Sequence, residues 1–218
     1  MLMRPKIYAC YSDSHVPLLT QHFLPSLPEG FDLCLRHVPQ SCPRGYYNTL
    51  GWGLAMQHKV SMILDALATE KDPFVVSDVD VRFYDFRPAE VGQLARLFNA
   101  SYQLDMPISE SSDHGPKYCA GFVVLVPCLL TYDLYRQILR TIPEHNTEQE
   151  ALYAAMTTLS TRGLRTGYLP PERFWCIKHG TPGPGLAIDH ASWVNGVPAK
   201  LDHLRATLDA YQNLRTAR

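Results

Sequence analysis

The apolar positions of this chain switch repeatedly between the period of a strand and that of a helix. Ile7-Tyr8-Ala9-Cys10 is a short apolar run and predicts a strand over residues 6–11. The polar turn Ser12-Asp13-Ser14-His15 and a weak helix ending near Pro25 to Pro28 follow it. Residues 31–37 alternate apolar and polar, as a half-exposed strand does. A Pro/Gly/Tyr loop over 39–47 leads to the first long helix, 49–69, where Leu54, Val60, Ile63, Leu64 and Leu67 recur at helical spacing. Phe74-Val75-Val76 is a brief buried strand ending in an acidic turn. Pro88 predicts a helix over 88–98, because proline fits a first helical turn. Residues 102–108 and 119–126 predict two strands separated by the polar loop 109–117, the second stopped by Pro127. Helices are expected at 129–141 and 147–160, the latter capped by Asn146 or Thr147. Short strands at 166–169 and 173–177 flank Pro170-Pro171, a turn-rich loop spans 180–185, and a last helix covers 197–214. Alternation of this kind predicts one α/β domain.

Composition agrees with that picture. The 218 residues suffice for one α/β domain, and 46% hydrophobic against 19% charged residues describes a folded chain. With 20 basic and 21 acidic residues scattered along it, the sequence carries no basic stripe, which argues against nucleic acid as a partner. The six cysteines lie far apart with no CxxC pair, which disfavours zinc ribbons and redox pairs and leaves buried, reduced thiols as the expectation. The N-terminus lacks the apolar core of a signal peptide, and no stretch is apolar for long enough to span a bilayer, so a cytoplasmic enzyme is expected.

Asp78-Val79-Asp80 is the candidate chemistry. A buried strand that delivers carboxylates at i and i+2 to its end offers hard oxygen ligands to Mg²⁺ or Mn²⁺, which in turn grip a diphosphate. A strand-ending turn capped by two aspartates is the plain alternative, since so short a motif recurs by chance.

Phe74-Val-Val-Ser-Asp-Val-Asp-Val81 resembles two families: the GT-A glycosyltransferases, whose DxD turn lies mid-domain, and the haloacid-dehalogenase phosphatases, whose DxDx[T/V] nucleophile loop opens the chain. Val81 fits the second pattern, but a strand–helix array precedes the turn, and no downstream Gly-Asp-x-x-x-Asp or Asp-Asp pair completes a phosphatase magnesium site. Four further stretches are similar, in order, to retaining GT-A enzymes that include galactosyl-, xylosyl- and arabinosyltransferases. Tyr118-Cys119-Ala120-Gly121-Phe122 resembles the strand on which the donor sugar lies, with Cys119 where the family often has Asn. Thr147-Glu148-Gln149-Glu150 resembles the Asp-Gln helix start. Leu169-Pro170-x-x-x-Phe174 resembles a packing segment. His190-x-x-x-x-x-Gly196 followed by Lys200 resembles the C-terminal histidine–glycine–lysine pattern.

The resemblance implies a single Rossmann-like nucleotide-diphospho-sugar transferase domain with a mixed central sheet. Residues to about 80 would bind the nucleotide, and those from about 81 to 218 the donor sugar and acceptor. It implies Asp78, Asp80 and His190 as ligands of Mn²⁺ or Mg²⁺, with Asp80 the firmer ligand and Asp78 shared between ribose and metal. It implies Tyr11, Ser12, Lys59, Asp78, Gly121, Gly196 and Lys200 as donor-binding residues, and Glu148 and Gln149 as residues at the reacting centre. The expected activity is transfer from a UDP-sugar to a hydroxyl on a glycan, small molecule or protein, with retention of configuration. Competing expectations are a phosphatase using Asp78 and Asp80, a nucleotidyltransferase of related fold (which would normally carry a Gly-rich basic loop after the first strand), and a non-catalytic carbohydrate-binding domain.

Overall fold

In the computed structural model the described residues are 4–42, 46, 49–105, 118–145, 148–160 and 162–216. Strand β1 (Lys6–Tyr11) runs into a helical segment over 13–26 whose central part is α1 (Val16–Leu18). Then come β2 (Asp32–His37), α2 (Trp52–Thr69), β3 (Phe74–Ser77), β4 (Val81–Phe83), α3 (Pro88–Leu97), β5 (Ala100–Leu104) and β6 (Tyr118–Leu125). The chain continues with α4 (Leu129–Thr141), α5 (Glu148–Ser160), β7 (Thr166–Tyr168), β8 (Phe174–Trp175), β9 (Ile188–His190) and α6 (Val197–Thr216).

Six strands form one mixed sheet in the order β2-β1-β3-β6-β5-β7. β1 is parallel to β2 and β3, whereas β6 runs antiparallel to β3 and β5. Both faces of this sheet are covered, and side-chain alternation sorts each strand between two cores. Phe74, Val76, Ala120 and Leu125 point into a core shared with Val60, Ile63, Leu134 and Leu152 of α2, α4 and α5. Val75, Phe122 and Val124 point the other way, into a core with Phe23, Phe83, Phe86 and Phe174.

That second core supports a small sheet, β4-β9-β8, which the apolar pattern did not reveal because β4 and β9 are three-residue strands. Phe122 joins the two sheets: its ring lies 6.2 Å from Phe83, 5.5 Å from Phe86 and 5.7 Å from Phe174. The expected strand at 102–108 begins two residues earlier, at Ala100, and its part beyond Asp105, the loop 109–117, the caps Asn146 and Thr147, and part of the loop 39–47 lie outside the described residues. The first long helix starts at Trp52 instead of 49. Leu54 on it is 49% exposed, so it belongs to the outer face and not to the apolar stripe.

Cutting Phe122 to alanine empties the joint between the sheets, and chemical denaturation should show a loss of about 3–5 kcal/mol. A change within about 0.5 kcal/mol would mean the small sheet is not held there. His22 gives a pH signature. Burial and the neighbouring Arg82 guanidinium push its imidazole down to about 4, and Arg82 donates to its Nδ1 at 3.2 Å. The unfolded chain takes up that proton near the ordinary histidine pKa of about 6.5. Stability contributed by this group therefore falls as pH drops between those values. The slope of urea midpoint against pH in that window should be steeper for the native protein than for His22→Gln.

Candidate active site

The polar cluster sits where β3 ends. Asp78 and Asp80 flank the buried Val79, which holds the turn down into the second core. β4 leaves this turn antiparallel to β9, pairing Val81 with His190, and the Ala191 amide donates to the Asp80 carbonyl at 3.0 Å. The small sheet thus carries His190 to the acidic turn from more than a hundred residues away. One ligand atom from each of Asp78, Asp80 and His190 lies within 4.8 Å of the others.

A bulge in β6 shapes the opposite wall. Along the β5–β6 pairing Tyr102 faces Val123, but the next residue, Gln103, faces Cys119, so Ala120 to Phe122 loop out of the β5 ladder. The carbonyls of this stretch then serve the site. Ala120 accepts from Lys59 Nζ at 2.9 Å, and Gly121 accepts from the Asp78 amide at 2.7 Å. A Cβ at Gly121 would stand 2.1 Å from His190 Cε1, 2.7 Å from its Nε2 and 2.9 Å from Asp78 Oδ2. Only glycine lets the imidazole and the carboxylate approach the strand this closely.

Charges alternate across the site. Lys200, in the first turn of α6, bonds Asp80 Oδ2, and His190 Nε2 lies 3.4 Å from Asp80 Oδ1. Burial alone would raise the Asp80 carboxyl, but the charges of Lys200 and His190 hold it well below the usual carboxylate range. Burial likewise opposes charge on His190, yet its surroundings, Asp80 among them, raise it well above 6.5. Lys59, 3% exposed, lies 2.8 Å from Asp78 Oδ1 and 3.3 Å from Glu148 Oε2. Glu148 is 5% exposed, its other oxygen has no hydrogen-bond partner, and burial raises its pKa against the opposing pull of Lys59.

A cleft of about 650 Å³, counting its open mouth, runs out from this cluster. Its lining includes Tyr11, Ser12, His15, Gln40, Trp52, Lys59, Asp78, Asp80 and Lys200. Of the anticipated residues, Tyr11, Ser12, Lys59, Asp78, Asp80 and Lys200 line the cleft, and His190 and Gly121 touch Asp80 and Asp78 directly. Glu148 reaches the cluster through Lys59. Gln149 lies against the Tyr153 hydroxyl and is not part of the cleft lining. Gly196 acts through the backbone: at φ 86° it turns the chain into α6, and a Cβ there would meet the Tyr46 ring at 2.6 Å. None of the residues 180–185 lines the cleft; their loop is tied back by Trp175 Nε1 to the Gly180 carbonyl and by Arg173 to that of Gly185. His15 and Gln40 escaped the sequence reading because each stands in polar or loop surroundings without a motif, and Trp52 because it starts the long helix as one apolar residue among others. Gln103 also escaped it, although a glutamine inside the apolar strand Ala-Ser-Tyr-Gln-Leu was a visible signal.

Two carboxylates and an imidazole converge here, a mixed oxygen–nitrogen donor set that suits Mn²⁺ or Mg²⁺. Lys200 pairs with one oxygen of Asp80, and the ligand atoms of the three side chains lie close enough together to share one divalent cation.

No protein-family model and no curated protein matches the chain. Among solved structures it is similar to a glycosyltransferase involved in the glycosylation of the major capsid of PBCV-1, with TM-score 0.60 and 10% identity over 93% of this chain and 98% of that one. It is also similar to the apo structure of the bifunctional glycosyltransferase WbbM, with TM-score 0.54 and 11% identity over 90% of this chain; it spans 47% of the length of that protein. At such identity the likeness establishes the fold: a mixed α/β, Rossmann-like domain of the GT-A type.

Gly121→Ala should keep the native circular-dichroism spectrum while weakening Mn²⁺ binding, read by titration, by roughly tenfold or more. Unchanged affinity would mean that Asp78 and His190 do not act on one ligand.

Proposed function

We propose that the chain is a metal-dependent glycosyltransferase that moves a sugar from a UDP-sugar to a hydroxyl acceptor. The observation that carries this reading is the convergence of Asp78, Asp80 and His190 at the inner end of a cleft in a GT-A fold. Except for Lys200, the described residues lining that cleft come from the first 80, in keeping with a nucleotide-binding half there and a donor-sugar and acceptor half beyond.

In this reading Tyr11 offers an aromatic face to the base, and Ser12 a hydroxyl beside it. Asp78, Asp80 and His190 hold Mn²⁺ or Mg²⁺, which when bound supplies Lewis-acid stabilisation to the departing diphosphate. Lys200 leaves Asp80 to donate to diphosphate oxygens, and the Gly196 turn presents the N-terminus of α6 to the same charge. Gly121 lets His190 and Asp78 close against β6, so that the donor is held by these two side chains beside the strand. Glu148 uses its unpartnered oxygen to accept a sugar hydroxyl, while Lys59 fixes the carboxylates of Glu148 and Asp78 relative to each other. Gln149 would turn from Tyr153 to face the oxocarbenium-like centre. Retention follows from the family resemblance: the acceptor attacks from the face the diphosphate leaves, and a phosphate oxygen takes its proton. The acceptor is a glycan, a small molecule or a protein hydroxyl.

No helix among the described residues is long and apolar enough to cross a membrane, and the cysteines among them are free, which accords with a reducing, cytoplasmic setting. A phosphatase of the kind the DxDxV pattern raises would use Asp78 as an unencumbered nucleophile. Its buried partner is Lys59, and the third group of the cluster is His190.

A thermal-shift survey of UDP-, GDP- and CDP-sugars with and without Mn²⁺ tests the proposal. The native protein should be stabilised by UDP or a UDP-sugar only when Mn²⁺ is present, and Asp80→Ala and His190→Ala should lose that shift. No response to any nucleotide sugar, or metal-dependent UDP-sugar hydrolysis that both variants retain, would overturn it.

A further inference from the structure

Gln103 lies fully buried on β5, in the seam between the two sheets, and its side chain is committed at both ends. Its Nε2 faces the carbonyls of Phe174 and Trp175, at 3.3 and 2.9 Å. Carbonyls only accept, so the nitrogen of the amide must be the end that faces β8. The oxygen, Oε1, is thereby turned to His190 Nδ1, at 2.7 Å. A carboxamide oxygen only accepts, so Nδ1 must carry a hydrogen. The Cys119 sulfur, 3.6 Å from the same nitrogen, is a weak second partner. What remains is Nε2, the nitrogen that faces Asp80 and lies nearest the Cβ position of Gly121.

We propose that Gln103 is the positioning residue of the site: two backbone carbonyls of β8 fix its amide, and its amide fixes His190 with Nδ1 protonated and Nε2 aimed at the ligand position. This rests on the reading of His190 as a metal ligand. A histidine ligand generally has its second nitrogen tied to a fixed acceptor that sets its tautomer, and losing that partner typically weakens metal binding by about 10–100-fold. The bulge of β6 belongs to the same device, because the register shift brings Cys119 opposite Gln103 and opens the space in which the imidazole stands.

Two measurements test this. In the native protein, labelled with ¹⁵N-histidine and loaded with Zn²⁺ as a diamagnetic probe, His190 should show a metal-bound Nε2 and a protonated, slowly exchanging Nδ1. Coordination through Nδ1 would overturn the inference without requiring any variant to fold. In parallel, Mn²⁺ affinity should fall about 10–100-fold in Gln103→Met, a substitution of similar length that cannot accept the bond. Gln103→Glu, which keeps an acceptor for Nδ1, should bind Mn²⁺ more tightly than Gln103→Met. Native affinity in Gln103→Met overturns the inference alone. A native protein that binds no divalent cation overturns the metal reading, and this inference with it.

Discussion

Asp80 is buried almost completely, and a lone carboxylate in that position would lose several kcal/mol of hydration. Two basic side chains from distant parts of the chain meet it: His190 from the end of the small sheet's central strand and Lys200 from the first turn of α6. The arrangement of the C-terminal third follows from this need. β9 pairs with β4 so that His190 stands beside the acidic turn, and Gly196 breaks the chain direction so that α6 begins where Lys200 reaches the carboxylate. In the proposed reading, a cation held between Asp78, Asp80 and His190 would substitute for charge the protein already supplies, so that one electrostatic balance would serve both folding and binding. Against the cost of burial, Cys119 and Asp80 draw His190 towards its charged form, and a cation bound there would displace that proton.

The wall facing this cluster is made by an irregularity in β6. The Gly121 carbonyl extends the β3–β6 ladder by accepting from the Asp78 amide, while the bulge leaves the Ala120 carbonyl to Lys59. Lys59 is thus fully enclosed yet charged, with two carboxylates and a carbonyl around it. Through it the acidic turn, β6 and the first turn of α5 are mechanically one unit, which is why Glu148, seventy residues from Asp78 in sequence, reports on the same cavity.

Much of this was legible in the sequence, for identifiable reasons. β1, β3, β6 and the long helices carry period-2 or period-3.6 patterns against two covered faces, and those patterns are local. The Asp78–Asp80 turn was ambiguous by itself. His190 and Lys200 gave it a partner only through resemblance, since no local pattern links them to it. The small sheet was not legible, because strands of two or three residues have no period to detect and exist through pairing with one another. For the same reason the bulge went unseen, and with it the use of Gln103, whose role depends on β8 lying against β5. Gln149 rests on resemblance alone: its neighbours in sequence suggested the reacting centre, while in the structure its side chain meets Tyr153.

The central claim is that Asp78, Asp80 and His190 form one cation site facing a nucleotide cleft. Crystals grown with Mn²⁺ and UDP, with anomalous data collected at the manganese absorption edge, test it most directly. The account predicts a single strong anomalous peak within about 2.0–2.4 Å of an oxygen of each aspartate and of His190 Nε2, with the diphosphate against Lys200. A peak elsewhere, or UDP bound with the Asp80–Lys200 pair intact and no manganese between the three side chains, would contradict it.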